Sequence, residues 1–124
     1  MHLRVARHTT NLQAITDFYT QLLGLEVLGS FNDHDGYDGV FLGTPEQDWQ
    51  LEFTTSAEPP SHQPDEDDLL VFYVDTQAEL EALAQRFSEK GIETVEPKNP
   101  YWLTDGITYA DPDGYRVVIA VRKV

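Results

Sequence analysis

Two strand-like segments carry a carboxylate and an imidazole that could do acid–base chemistry. Glu52 lies in WQLEFT (residues 49–54) and His8 lies in LRVARHT (residues 3–9). A carboxylate and an imidazole can accept and donate protons, so together they could act as a general base and a general acid. The chain contains no cysteine, which excludes disulfides, thiolate metal sites and thiol nucleophiles.

The alternation of side chains along these segments predicts which residues share a sheet face. Successive strand residues point to opposite sides, so Leu51 and Phe53 are expected to pack against a helix. The opposite face is expected to carry Arg4, Ala6, His8, Gln50, Glu52 and Thr54. This face would therefore collect the polar groups of both strands.

The elements that carry these residues occur in the same order twice. A strand, a helix and three more strands are predicted for module one (about 3–55) and again for module two (about 68–122), joined by a polar, proline-rich linker (about 56–67). The predicted strands are residues 3–9, 25–29, 39–43, 49–54, 69–75, 92–96, 107–110 and 115–121. The predicted helices are residues 11–24 and 76–91, and residues 31–39 and 98–106 are predicted as loops.

Two pairs of glycines support this repeat. Gly24 and Gly91 are each expected to end a helix, and Gly39 and Gly106 are each expected to open a third strand. Both pairs are separated by 67 residues (24 to 91 and 39 to 106). We therefore predict one domain with an α+β fold, built from two βαβββ modules.

The composition limits the partners and the location. The formal net charge is −14, which makes nucleic acids and anionic membranes improbable partners. No apolar run suits a membrane span, and the start MHLRVARH lacks the pattern of a secretory signal. A cytoplasmic location is expected.

The sheet face that a module turns away from its helix is called here its free face. Two free faces side by side would form a cup for a small ligand. Tyr73 and Tyr109 are candidate contacts, and Phe31 and Tyr37 could reach the ligand from a loop. Trp102 is a stronger candidate, because it lies beside Tyr101 in a polar loop and not on a periodic face.

Several motifs resemble the glyoxalase/bleomycin-resistance/extradiol-dioxygenase superfamily, also called vicinal oxygen chelate proteins. They are FYTQLLGLEVL, LEFT and DPDGYRVVI, together with GYDGV and NPYW, and they run through the whole chain in the superfamily's order. The combination is similar to an uncharacterised bacterial glyoxalase-like subgroup. The resemblance implies a cup-shaped mixed sheet with helices outside, and a homodimer.

The resemblance also bears on a metal site. Metal-dependent members bind a divalent ion through four His or Glu side chains, one from each of four strands. Carried over by the motifs, these positions fall on Arg4, Glu52, Leu69 and Val118, of which only Glu52 can bind a metal. The expected state is therefore metal-free, with an Arg4–Glu52 ion pair in place of the ion. A non-standard metal site would have to use His8, His34 or His62.

Three functions are compatible with these observations. The first is binding of a small organic molecule through Arg4, His8, Gln50, Glu52, Tyr73, Trp102 and Tyr109. The second is an enzyme, either a metal-dependent lyase or dioxygenase, or a metal-free acid–base catalyst using Glu52. The third is an interaction module that pairs two chains across sheet edges.

Overall fold

The computed structural model describes residues 1–123, which fall into two compact units. Unit one spans Met1–His62, and unit two begins at Gln63. Unit one contains β1 (Leu3–His8), α1 (Leu12–Asp17), a π-helical turn (Phe18–Leu22), β2 (Glu26–His34), β3 (Tyr37–Gly43) and β4 (Trp49–Thr55). Its strands form one mixed sheet in the order β1-β4-β3-β2, in which β1 runs parallel to β4.

The helical segment of unit one covers one face of this sheet. Asn11 begins α1 by accepting a hydrogen bond from the Ala14 N–H through its side chain, at 3.0 Å. Gly24 ends the segment with a φ of 81°, the left-handed conformation that favours glycine. Tyr19 stacks on Phe53 of β4, with the ring centroids 5.1 Å apart. The apolar alternation of β4 and the helical periodicity thus meet in one core.

Unit two has a shorter version of the same plan. It contains β5 (Leu69–Val74), α2 (Gln77–Glu89), α3 (Trp102–Asp105), β6 (Ile107–Ala110) and β7 (Arg116–Val121). The sheet order is β5-β7-β6, with β5 parallel to β7. The Thr76 side chain caps α2 by accepting from the Glu79 N–H at 3.2 Å, and Gly91 follows the helix with a φ of 74°. The predicted α+β class is confirmed, and unit two repeats the first strand, the long helix and the last two strands of unit one.

Three predicted elements are corrected by the structure. Residues 92–96 are not a strand: only Val95 bonds to β6, through its N–H to the Thr108 carbonyl at 2.9 Å, and Pro97 then removes a donor. The segment 31–39, predicted as a loop, extends β2 and β3 into a hairpin. Asp35 and Gly36 turn this hairpin with φ values of 52° and 85°.

The third correction concerns residues 98–106, which contain the short helix α3 and are not wholly a loop. The predicted helix over residues 11–24 also changes character, because it passes from an α-helix to a π-helical turn at Phe18. None of the helices within residues 1–123 is long and apolar enough to cross a membrane.

Candidate functional site

Strand pairing places the polar side chains of unit one on its free face. In the parallel pair β1–β4, Arg4 lies opposite Gln50, Ala6 opposite Glu52, and His8 opposite Thr54. Residues opposite each other in paired strands point to the same side of the sheet. The structure therefore brings together the sequence-predicted residues Arg4, His8, Gln50 and Glu52.

Arg4 and Glu52 form an ion pair at the middle of this free face. Arg4 Nη1 lies 3.9 Å from Glu52 Oε1, and the guanidinium carbon lies 4.5 Å from the centre of the Phe41 ring. Phe41 is the β3 partner of Glu52, so the ring and the carboxylate together hold the guanidinium. The pairing that the sequence predicted is thus present, with the Glu52 side chain 16% exposed and that of Arg4 50% exposed.

His8 lies on the same face, but its hydrogen bonds go elsewhere. Its Nδ1 is 2.9 Å from the Thr54 hydroxyl, and its Nε2 is 2.9 Å from the Glu58 carbonyl oxygen. A carbonyl only accepts, so Nε2 carries a proton and donates it to Glu58. The imidazole therefore ties the start of the linker to β1, and neither ring nitrogen bonds to Glu52.

Two aromatic residues reach this face from strands, where the sequence predicted a loop. Phe31 in β2 pairs with Gly39 of β3, and its ring occupies the space where a side chain at Gly39 would lie. Tyr37 at the start of β3 makes an edge contact with His8, at 5.8 Å between ring centres. A Cβ at position 39 would collide with the Phe31 ring in this orientation, so the glycine leaves room for the ring.

The free face of unit two is apolar at its centre. Val71 pairs with Val118, and Tyr73 pairs with Ala120, between β5 and β7. Val118 is fully buried and Leu69 is half-buried. Both side chains are hydrocarbon, so neither offers a lone pair to a cation. The two predicted ligand positions of unit two are therefore hydrocarbon.

A cavity of about 330 Å³ lies beside this face, and its aromatic wall includes two predicted contacts, Tyr73 and Trp102. The Trp102 ring lies against Gly106, where an added Cβ would be 3.1 Å from the ring and 2.7 Å from a methyl of Val118. The other wall carries Asp105 and Lys123. Sequence reasoning missed these two charged residues, and no spacing or motif marks them.

Tyr109 must be removed from the candidate set. Its partner in β7 is Val117, which is fully buried, and its ring stacks on Phe87 of α2 with centroids 3.8 Å apart. The side chain therefore lies on the helix side of the sheet and is only 2% exposed. Burial raises the pKa of the Tyr109 phenol above its usual value.

The remaining histidines form no cluster with other ligands. His34 lies 3.9 Å from Asp35, and His2 lies 3.5 Å from Asp48, on highly exposed side chains. His62 is half-buried at the end of unit one. Within residues 1–123, no group of three or more His, Cys, Asp or Glu side chains is placed to hold a metal ion.

Two family models match the chain, one for each module. Residues 3–54 match the YycE-like N-terminal domain, and residues 67–120 match the YycE-like C-terminal domain. The uncharacterised protein YycE of Bacillus subtilis is 44% identical, over 98% of this chain and 88% of that protein. The chain belongs to the YycE-like family. Membership fits the repeat, because the boundary between the two models falls in the predicted linker.

Solved structures agree with this assignment. The crystal structure of Bacillus subtilis YycE, whose function is described as unknown, is 42% identical with a TM-score of 0.91, covering 99% of this chain and 90% of that one. Leishmania major glyoxalase I shares the fold at 21% identity and a TM-score of 0.76, covering 98% of this chain and 86% of that one. TnmS3, an antibiotic-binding protein from Streptomyces sp. CB03234, has 19% identity and a TM-score of 0.71, covering 99% and 96%. The resemblance to the glyoxalase/bleomycin-resistance superfamily is confirmed.

Proposed function

We propose that this protein binds a small organic molecule on the free face of unit one, and that it does so without the superfamily's metal centre. The observation that carries the proposal is the Arg4–Glu52 pair. The distance of 3.9 Å between Arg4 Nη1 and Glu52 Oε1 is short enough for an ion pair but too long for a hydrogen bond. The guanidinium donors and the carboxylate oxygens are therefore available to a third molecule.

The donor set argues against a metal in the superfamily's arrangement. Of the four positions, Glu52 supplies a carboxylate, whereas Leu69 and Val118 supply only hydrocarbon. The remaining position, the first of the four, holds the Arg4 cation, which would repel a divalent ion from the Glu52 carboxylate. A guanidinium thus supplies the positive charge that a metal would otherwise bring to this face.

The geometry also describes the ligand. An oxygen acceptor on the ligand would meet Arg4, and a hydroxyl or amide donor would meet Glu52. The Phe31 ring offers a surface for an apolar body, and the exposed methyl group of Ala6 leaves room above β1. The antibiotic-binding protein TnmS3 has the same fold, which supports a binding role for such a scaffold.

The test is a thermal-shift screen of small molecules, followed by calorimetry on each stabilising compound. A ligand of this face should lose affinity in Arg4→Met and in Glu52→Gln, and it should keep its affinity in the control Glu26→Gln. Glu26 is an exposed carboxylate in β2 of the same unit, so this control makes the same chemical change away from the pair. Ligands that bind all three variants equally would contradict the proposed face.

Metal content is measured in the same preparation, purified without a tag or a chelator. Stoichiometric zinc, nickel, iron or manganese would contradict the metal-free proposal. An enzyme using Glu52 is the alternative, and it requires a turnover that Glu52→Gln abolishes. The homodimer and the cytoplasmic location inferred from the sequence stay predictions.

A further inference from the structure

The cavity of unit two is lined by aromatic side chains that are unusually accessible. Tyr73 is 58% exposed and Tyr101 is 45% exposed, and the Trp102 ring lies 4.8 Å from that of Tyr101. Exposed aromatic residues that cluster in a concave surface are typical of binding sites. Their π faces attract cations as well as apolar groups.

A cation of the protein itself already lies at this cavity. Lys123 Nζ is 3.0 Å from Asp105 Oδ1 and 5.3 Å from the centre of the Tyr101 ring. A carboxylate beside an aromatic face is the environment that a primary ammonium group prefers. The hydrogen bonds with Asp105 and then Tyr101 raise the pKa of the Lys123 ammonium group, so it is charged at neutral pH.

Lys123 is weakly held in this position. Lys123 lies two residues after the end of β7. Within residues 1–123, the last backbone hydrogen bond before it is donated by the Arg122 N–H to the Val74 carbonyl. Its side chain is 69% exposed, and exposed ion pairs are readily broken by water and salt. A ligand that brings its own ammonium group could therefore replace it.

We propose that the cavity of unit two binds the primary ammonium group of a ligand, between Asp105 and the Tyr101 ring, and that Lys123 is an internal competitor for this position. The apolar part of such a ligand would lie against Tyr73 and Trp102. This inference goes beyond the proposed function, because it concerns the other unit and does not require the Arg4–Glu52 pair.

The experiment compares benzylammonium with its neutral analogue, benzyl alcohol, by titration in ¹H–¹⁵N correlation spectra. The two tryptophans give separate indole signals: Trp102 lies at the cavity, and Trp49 lies in unit one and serves as the internal reference. The variant is Lys123→Met, which removes the charge and keeps the length. The control is Lys90→Met, which makes the same change at an exposed position after α2.

We expect Lys123→Met to bind benzylammonium about two- to sixfold more tightly than the natural chain. In the natural chain, the Lys123 ammonium group occupies the place beside Asp105, and an exposed ion pair of this strength lowers the apparent affinity of a competing ammonium by about that factor. Lys90→Met should leave the affinity unchanged. Adding Asp105→Asn to Lys123→Met should weaken benzylammonium binding by about three- to tenfold, because the carboxylate is one-third exposed and its attraction is partly screened.

Three results would overturn the proposal. The first is an equal gain for benzyl alcohol, which would indicate only more apolar space. The second is an affinity in Lys123→Met that matches Lys90→Met. The third is a titration that shifts the Trp49 indole and leaves the Trp102 indole unmoved. The first two outcomes do not depend on whether unit one binds a ligand, and the third assigns the binding to unit one instead of the cavity.

Discussion

Replacing Arg4 with Met and Glu52 with Gln, singly and together, measures the ion pair on which the proposed function depends. Two unit charges about 4 Å apart attract by about 4 kcal/mol at an effective dielectric constant of about 20. Half of the Arg4 side chain is in water, which reduces this energy towards the range of about 0.2–1 kcal/mol that exposed pairs show. Because Glu52 is mostly buried, we expect a coupling near the top of that range, about 1 kcal/mol.

The single substitutions should be unequal. Arg4→Met leaves a mostly buried carboxylate without its countercharge, whereas Glu52→Gln leaves a half-exposed guanidinium that water can solvate. Arg4→Met should therefore destabilise the protein more, and Glu52→Gln should recover part of the loss in the double variant.

Urea unfolding followed by circular dichroism gives the four free energies of unfolding. Repeating the cycle at about 0.01 M and 1 M salt changes the screening length from about 30 Å to about 3 Å, so the coupling should shrink. A coupling within about 0.3 kcal/mol of zero in low salt, the usual error of additivity, would refute the account of this face.

Two further predictions concern the close approaches and the buried phenol. Gly106→Ala should lower the free energy of unfolding by about 1–3 kcal/mol, because its Cβ would lie 2.7 Å from the buried Val118. Gly39→Ala should lower it less, because the Phe31 ring can turn away. Urea unfolding of both variants tests which one is less stable. Burial raises the pKa of the Tyr109 phenol in the folded state. The contribution of this neutral phenol to the free energy of unfolding is therefore complete below pH 10, and it is lost as the pH rises through the folded pKa. Tyr109→Phe should flatten that loss in urea midpoints measured across the alkaline range, and an unchanged pH profile would contradict this assignment.

The free face of unit one could be predicted because local alternation decided it. In WQLEFT, the apolar residues Leu51 and Phe53 alternate with Gln50 and Glu52. Once the apolar side is assigned to the core, the alternation predicts the direction of every side chain in β4. The parallel pairing with β1 then brought Arg4 to the same face. The two-residue period of the strands carried this information without any knowledge of the tertiary structure.

The features that sequence reasoning missed depend on non-local contacts. Tyr109 lies on the same side of its strand as Ile107, which favours the helix side of the sheet. Tyr109 was nevertheless predicted to contact a ligand because it is aromatic. Its ring stacks on Phe87, a residue that lies 22 positions earlier in the chain (87 to 109). The bond from His8 to the Glu58 carbonyl involves a linker without periodicity, and Lys123 is one of two neighbouring cations that follow the last strand.

A comparison of equivalent positions in the two units supports a role for Glu52 beyond stability. Glu52 in β4 lies opposite Phe41 of β3, and Val118 in β7 lies opposite Thr108 of β6. Val118 is fully buried, so this place in the module accepts a hydrocarbon side chain. An ion pair with one mostly buried charge generally contributes little more to stability than apolar residues of similar size, because the Glu52 carboxylate must be removed from water while half of the Arg4 side chain stays in it. Stability alone therefore gives no reason for a carboxylate and a guanidinium at the centre of unit one, whereas recognition of a polar ligand does.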